Sequence, residues 1–99
     1  LFRYSALTFN AHRIHYDREY AAYEGYPGLV VHGPLQATLL LNLAAALLGK
    51  APRRFVFRAQ APIMDGPFEI GGRVTGEGAA AVWTRNAQSG RAMSATATL

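Results

Sequence analysis

An apolar run in the middle of the chain is the feature that most constrains the fold. Residues Leu35–Leu48 are apolar except for three polar positions, and Gly33 and Pro34 precede the run while Gly49 follows it. Proline in the first turn and glycine just past the last turn are typical of a helix. Apolar side chains occupy most of its circumference, so we expect other structure to wrap around it. It is too short to span a bilayer, which needs about twenty apolar residues.

After Pro52 the pattern changes from helical to alternating, which predicts β-strands. The expected strands cover residues 54–59, 68–76, 79–85 and 91–99. Gly71 and Gly72 predict a bulge in the second strand, and residues 86–90 predict the turn that joins the last two. Neither element buries its apolar surface alone, so the pattern predicts an α+β domain with an antiparallel sheet curled around the helix.

The N-terminal third has weaker patterns. Residues 1–9 favour a short strand and a turn, residues 17–23 favour a helix capped by Asp17 and closed by Gly25, and residues 24–34, with three glycines and two prolines, predict a loop. A chain of 99 residues forms one core, so we expect residues 1–99 to be a single domain. Since it begins at Leu1 rather than methionine, we expect it to be part of a longer protein.

Composition narrows the function classes. The chain has no cysteine, which excludes disulfides, thiolate metal sites and a cysteine nucleophile and is compatible with the cytoplasm. Its net charge of +4 comes mainly from arginines, which suit phosphate-bearing partners. Most of these arginines are scattered singly, whereas nucleic-acid-binding proteins concentrate basic residues, so we expect no nucleic-acid partner.

The segment TFNAHRIHYD holds the densest group of chemically useful side chains, namely Asn10, His12 and His15. Histidine exchanges protons near neutral pH, and an asparagine amide can orient a water molecule. The group could therefore activate water. Alternatively, a histidine caps the following helix or packs between its neighbours. Zinc binding with His32 is disfavoured because no cysteine or carboxylate partner accompanies the histidines, and we expect no metal.

Two further features could bind substrate. His32, Gly33 and Pro34 open the long helix, where free backbone N–H groups and the helix dipole stabilise an oxyanion; otherwise Gly33 is an ordinary start of the helix and His32 packs against the loop. A basic group begins where the helix ends and consists of Lys50, Arg53, Arg54 and Arg58. Such a group is either a solvated face or a site for the phosphates of coenzyme A or of a carrier's phosphopantetheine.

Three segments in this order, TFNAHRIHYD, GLVVHGPLQATLL and RFVFRAQAPIMDGPFEI, resemble the MaoC-like hot-dog hydratases and dehydratases. The sequence is most similar to the subgroup of type 2 3-hydroxyacyl-thioester dehydratases and mesaconyl-C4-CoA hydratases. The resemblance implies a hot-dog fold, in which an antiparallel sheet wraps around a long central helix. It also implies addition or removal of water across the C2–C3 double bond of an acyl thioester.

The resemblance also implies roles for individual residues. His15 matches the family's catalytic histidine, and Gly33 matches the glycine whose N–H polarises the thioester carbonyl. Asn10 stands where the broader family has aspartate and would orient the water. His12 stands at the family's asparagine, and Arg13, at the family's proline, is the candidate to bind a second carboxylate on the substrate. Independently of the resemblance, side-chain chemistry makes His32, Arg53, Arg54 and Arg58 the other expected substrate contacts.

Family members work as pairs of hot-dog units, so the resemblance implies a homodimer or a double hot dog. The expected partner is an acyl-CoA or acyl-carrier thioester, with coenzyme A as part of the substrate and no separate cofactor. We expect a cytoplasmic location, or a mitochondrial one if the full chain carries a transit peptide. Two alternatives stay open: a non-catalytic half that supports a catalytic partner, and a thioesterase, which the lack of an acidic residue on the long helix disfavours.

Overall fold

Short helices, one long helix and a four-stranded sheet follow one another along the chain. The computed structural model describes residues 1–86 and 90–99. The helical elements are α1 (Phe2–Leu7), a 3-10 turn (Arg13–His15), α2 (Arg18–Tyr23) and α3 (Gly33–Leu48); the strands are β1 (Arg54–Ala59), β2 (Glu69–Gly76), β3 (Ala79–Arg85) and β4 (Arg91–Thr98). Part of the predicted turn, residues 87–89, lies outside the described residues.

The long helix α3 confirms the prediction from its flanking residues. Pro34 lies in the first turn, and Gly49 ends the helix with a left-handed φ of 81°. One face packs on the sheet and buries Leu40 and Ala44 completely. On another face Leu41 remains 38% exposed, so the sheet of this chain covers only part of the helix. No helix in the described residues is long and apolar enough to cross a membrane.

The sheet is antiparallel throughout, in the order β1-β4-β3-β2. Alternate side chains of the two central strands face α3 and form an apolar core with it: Ala37, Leu40, Ala44, Val82, Met93, Ala95 and Ala97. This architecture confirms the predicted α+β class. At the two sheet edges the helix does not reach far enough, and Phe57, Ile70 and Val74 stay about half exposed.

The predicted strand in residues 1–9 is wrong, because Phe2–Leu7 form helix α1, whereas the predicted turn follows at Thr8 and Phe9. Among the described residues no strand pairs with it, and its backbone bonds are local instead, from Ser5 N to Leu1 O and from Thr8 N to Tyr4 O. The helix buries Ser5. The apparent alternation of apolar residues was too short to distinguish a strand from a helix.

The predicted bulge at Gly71 and Gly72 is also wrong, because both residues pair regularly with β3 and the register shifts between Val74 and Gly76. The two glycines serve packing. A side chain at Gly71 would meet the Trp83 indole at 2.8 Å, and one at Gly72 would meet Val82 at 2.8 Å. Absence of a side chain, rather than an extra residue, is what this part of β2 requires.

The loop before α3 is fixed from both sides. Val31 N donates to Ile63 O at 2.8 Å, and the Asp65 carboxylate accepts from Leu29 N at 2.9 Å and from the Arg18 side chain. The prediction for α2 is confirmed: the Asp17 side chain caps it by accepting from Tyr20 N at 3.1 Å, and Gly25 follows its end with a φ of 93°. These contacts fix the loop before α3, and the bond from Val30 N to Ile14 O joins it to the 3-10 turn.

Candidate active site

The loop that leads into α3 holds the His15 ring by one hydrogen bond. Its ring Nδ1 lies 2.6 Å from Val30 O, and the backbone is tied at the same place because Val30 N donates to Ile14 O at 2.9 Å. A carbonyl oxygen only accepts, so Nδ1 carries the proton and Nε2 presents a lone pair. The residue is 8% exposed, yet Nε2 is neither sealed from solvent nor bonded to any described residue. His15 is therefore arranged to take up a proton at Nε2.

His32 lies directly against His15 and is itself fully buried. The two imidazole rings stack with centroids 3.8 Å apart and planes 19° from parallel. The Ser5 hydroxyl lies 2.7 Å from His32 Nε2, while His32 Nδ1 is buried without a partner among the described residues. Burial, and then the proximity of His15, lower the pKa of His32 to about 4. We call the group formed by Ser5, His15, Val30 and His32 the histidine corner.

Asn10 and His12 lie on the loop beside this corner. The Asn10 side-chain oxygen accepts from His12 N at 3.1 Å, and Asn10 N donates to Ser5 O at 2.8 Å. The exposed His12 ring stands edge-on to His15 with centroids 5.8 Å apart. The structure thus brings His12 close to His15 and ties Asn10 to Ser5 of the histidine corner, and the Asn10 amide nitrogen keeps its capacity to donate to a water molecule.

An apolar cavity opens next to Asn10. Its volume is about 390 Å³, within the range of small-ligand sites. The cavity is lined by Phe2, Ser5, Ala6, Phe9, Asn10, Ala11 and Tyr16. No charged side chain belongs to this lining, so its chemistry suits a hydrocarbon group.

Gly33 follows His32 directly and is the first residue of α3, so its position relative to the corner is fixed by the chain itself. Within the described residues no hydrogen bond uses its N–H, which points out of the helix start as the first N–H groups of any helix do. A side chain built at Gly33 would have the Met93 terminal methyl as its nearest neighbour, at 4.0 Å. The space beside Gly33 is therefore open to a ligand.

Arg13 is engaged with its own segment. Its Nη2 lies 2.7 Å from an Asp17 carboxylate oxygen, and its guanidinium sits 4.6 Å from the centre of the Tyr20 ring. The bond to Asp17 raises the pKa of Arg13, and the same bond lowers the pKa of Asp17. Because 56% of its side chain is exposed, Arg13 still offers donors to a ligand at the surface.

The three arginines near β1 are not grouped around His15. Arg54 and Arg58 pair with Thr98 and Ser94 of β4, which places them on the sheet face opposite α3. They are about 13 Å apart along the strand. Arg58 lies toward the end of the sheet where Met93 approaches Gly33, whereas Arg53 donates its backbone N–H to Thr98 O at the other end.

Sequence comparison identifies the family. The family described as hydroxyacyl-thioester dehydratase type 2 matches residues 1–65, which include the histidine corner. The chain belongs to this family. It is 60% identical over 79 residues to the mesaconyl-C(4)-CoA hydratase of Chloroflexus aurantiacus, covering 78% of this chain and 28% of that protein. It is 46% identical over 66 residues to the mitochondrial hydroxyacyl-thioester dehydratase type 2 of Schizosaccharomyces pombe, covering 63% of this chain and 22% of that protein.

The chain therefore spans about a quarter of the length of the curated dehydratase-family relatives that it matches. Among solved structures, the (R)-hydratase from A. caviae superimposes with a TM-score of 0.72 at 21% identity, covering 96% of this chain and 80% of that one. At this identity the match speaks for the fold alone. It confirms the predicted hot-dog fold.

In this member of the dehydratase family, the sequence missed two partners of the site. Ser5 is not a candidate from the sequence, because a single serine in a short helix carries no distinguishing pattern. Val30 is missed because it contributes only its backbone carbonyl, which accepts from the His15 ring and which any residue would offer. His32, expected as a substrate contact, is 0% exposed and lies behind His15. Within residues 1–86 and 90–99, no three histidine, cysteine or acidic side chains are placed to hold a metal ion.

Proposed function

We propose that this chain supplies the acid/base site of a hydro-lyase that adds water to, or removes it from, the C2–C3 double bond of an acyl thioester. The observation that carries this proposal is the His15 ring, whose Nδ1 lies against Val30 O and whose Nε2 is bonded to no residue in the described part of the chain. A histidine in this tautomer is a ready general base. The names of the two curated relatives, one a hydratase and the other a dehydratase, support the same reaction class.

In the hydration direction, the water oxygen bonds to C3 while His15 Nε2 accepts one of the water protons. Electron density moves from the C2–C3 bond onto the thioester oxygen, and the Gly33 N–H stabilises the resulting enolate. The proton then passes from His15 to C2, and the histidine returns to its neutral form. The Asn10 amide donates a hydrogen bond to the water and so orients it. Dehydration follows the same steps in reverse.

We propose a coenzyme A or carrier-bound thioester as the substrate, with coenzyme A as its handle and no separate cofactor. The apolar cavity beside Asn10 suits the acyl chain, and Arg13, open to solvent beside the same loop, would bind a second carboxylate if the acyl group carries one. Arg58, at the Gly33 end of β1, is better placed than Arg53 or Arg54 to meet a phosphate of the handle.

We also propose that a second hot-dog unit, from another copy or from another part of the same protein, completes the site. Leu41 on α3 and Phe57, Ile70 and Val74 at the sheet edges leave an apolar surface uncovered in this chain. Burial of such a surface is the usual driving force for association.

We propose a mitochondrial location as the alternative to the cytoplasm, because the S. pombe relative is a mitochondrial protein.

The test is hydration of crotonyl-CoA and of mesaconyl-C4-CoA by the full-length protein, followed by loss of the enoyl-thioester absorbance. His15→Ala and His15→Gln are expected to lower kcat by at least about a hundredfold, since both remove the general base. Ser94→Ala, a hydroxyl deletion on the outer face of β4, serves as the control that keeps full activity. Arg13→Gln is expected to lower turnover of mesaconyl-C4-CoA more than that of crotonyl-CoA.

A second function is favoured by two observations. The Asn10 side-chain oxygen is already bonded to His12 N, and position 10 holds asparagine where the resemblance implies an aspartate in the broader family. This chain would then be a non-catalytic hot-dog half beside a catalytic one. That function predicts normal turnover by the His15→Ala variant of the full-length protein. Loss of turnover in the same variant decides for the hydro-lyase site.

A further inference from the structure

The reaction proposed above uses His15 but gives no task to the fully buried histidine beneath it. We propose that His32 and Ser5 are positioning residues, which together hold the His15 ring in place for proton transfer without touching the substrate. This inference rests on the proposed function, because it assumes that His15 is the acid/base. It replaces the expectation that His32 contacts the substrate.

The geometry links three separate segments at this point. Ser5 belongs to α1, His15 to the 3-10 turn, and His32 immediately precedes α3. The Ser5 hydroxyl fixes the His32 ring through Nε2 at 2.7 Å, and the edge of Tyr4 packs on the same ring with centroids 4.5 Å apart. The His15 ring in turn stacks on the His32 ring, with the two ring centroids 3.8 Å apart. The hydrogen bond to Val30 O alone would leave the His15 ring free to rotate about that bond, whereas stacking on His32 fixes the plane of the ring.

The choice of histidine at position 32 is costly for stability alone. Its Nδ1 is buried and has no partner in residues 1–86 and 90–99, and a buried polar atom left unpaired destabilises the folded state. An apolar ring of similar size would fill the space without that cost. The side chain is therefore explained better by its two specific contacts, with Ser5 and with His15, than by packing.

His32 also stays neutral while His15 works. Burial, and then the neighbouring His15 and the amino terminus at Leu1, lower the pKa of His32 to about 4. The α1 groups in contact with its ring are the Ser5 hydroxyl and the Tyr4 ring. When His15 accepts a proton from water, the ring under it thus carries no like charge. A support that is rigid and neutral leaves the proton on His15.

Two variants separate the parts of this support in the full-length protein. Ser5→Ala removes the hydrogen bond and keeps the stacked ring, whereas His32→Gln keeps an amide within reach of Ser5 and removes the ring. Both are expected to lower kcat by about tenfold or more with KM within about twofold, because small misplacements of a catalytic group lower the rate steeply. The double variant should have a kcat no lower than that of the less active single variant, since the two residues act as one unit. Ser5→Thr keeps a hydroxyl at this position and should therefore keep a kcat close to that of the wild type. Ser94→Ala, which removes a hydroxyl elsewhere, is the matched control.

A spectroscopic readout is independent of turnover. In the wild type the His15 Nδ1 proton, held by Val30 O, should give a protected NMR resonance, and it should broaden through faster exchange in Ser5→Ala and His32→Gln but not in Ser94→Ala. Kinetics are compared well below each melting temperature, so that loss of stability alone does not lower kcat. If His32→Gln does not fold, Ser5→Ala decides the matter.

Wild-type kcat together with an unchanged Nδ1 resonance in Ser5→Ala would overturn the positioning role even if His15→Ala is inactive. If the wild type turns over no thioester, the proposed function fails. The support of the His15 ring is then judged by the NMR resonance alone: its broadening in Ser5→Ala retains the support, and its persistence overturns it.

Discussion

The apolar core under the sheet and the histidine corner are both buried, but they are held together by different forces. The core uses non-directional contacts among side chains such as Leu40, Val82 and Met93. The corner uses directional bonds, from Ser5 to His32 and from His15 to a backbone carbonyl. A core of this kind tolerates substitutions that conserve volume, whereas a polar cluster depends on each partner. Stability should thus be concentrated in one region and catalysis in the other.

The largest expected effect is on the core. Leu40 is completely buried between α3 and the sheet, so Leu40→Ala should lower the free energy of unfolding by about 2–5 kcal/mol, as measured by denaturant titration. The kcat of the protein that remains folded should not change. Leu41→Ala, on the side of the same helix that the proposed second hot-dog unit would cover, is the comparison, and a clearly smaller loss there would mean that this side is open. A loss at Leu41 as large as that at Leu40 would mean that another hot-dog unit covers this side.

The second prediction concerns the stability of the histidine corner and its dependence on pH. The pKa of His32 is about 4 in the folded chain and 6.5 for the ordinary side chain, because burial and His15 disfavour its charge. The unfolded chain therefore binds more protons below pH 6.5. His32 contributes fully to stability above that pH, and as the pH falls toward 4 this contribution, at most about 3 kcal/mol, is lost.

Denaturant titrations of the wild type, His32→Gln and His12→Gln between pH 7 and 4 test this point. His32→Gln should flatten the pH dependence of the free energy of unfolding, whereas His12→Gln, which removes an exposed histidine, should keep it. An equal slope in the wild type and His32→Gln would show that His32 does not oppose protonation. Burial of His32 would then have no more effect on the pH dependence of stability than the exposed position of His12 has.

The sequence predicted the core better than it predicted the corner. Helix α3 and the four strands follow from local periodicity and from flanking residues such as Pro34 and Gly49. The contacts of the corner instead join residues 27 and 15 positions apart, namely Ser5 with His32 and His15 with Val30. No local pattern encodes such contacts. The candidates His15, Asn10 and Gly33 came from side-chain chemistry and family resemblance, and their catalytic roles remain predictions.

The third prediction separates catalysis from stability at Gly33. A methyl group there has its nearest neighbour at 4.0 Å, so Gly33→Ala should fold with nearly unchanged stability. It should nevertheless lower kcat/KM for an enoyl thioester by roughly tenfold to a hundredfold, because the methyl group keeps the carbonyl from the N–H that stabilises the enolate. Gly76→Ala, where a side chain also meets nothing within 4 Å, is the control. Unchanged kcat/KM in Gly33→Ala would place the thioester elsewhere.

The smallest expected effect is at Asp17, which lies outside both regions, between the 3-10 turn and α2. This side chain caps α2 through Tyr20 N and also pairs with Arg13, which leaves open which contact matters for stability. An exposed ion pair adds little to stability, whereas loss of an N-cap lowers stability by about 1 kcal/mol. Asp17→Ala should therefore lower the melting temperature by roughly 5 °C. Asp17→Asn keeps an equally good cap and should recover most of that loss in a thermal melt. If Asp17→Asn melts as early as Asp17→Ala, the pair with Arg13 is what fastens the 3-10 turn to α2, and His15 depends on a charge at the surface as well as on the buried corner.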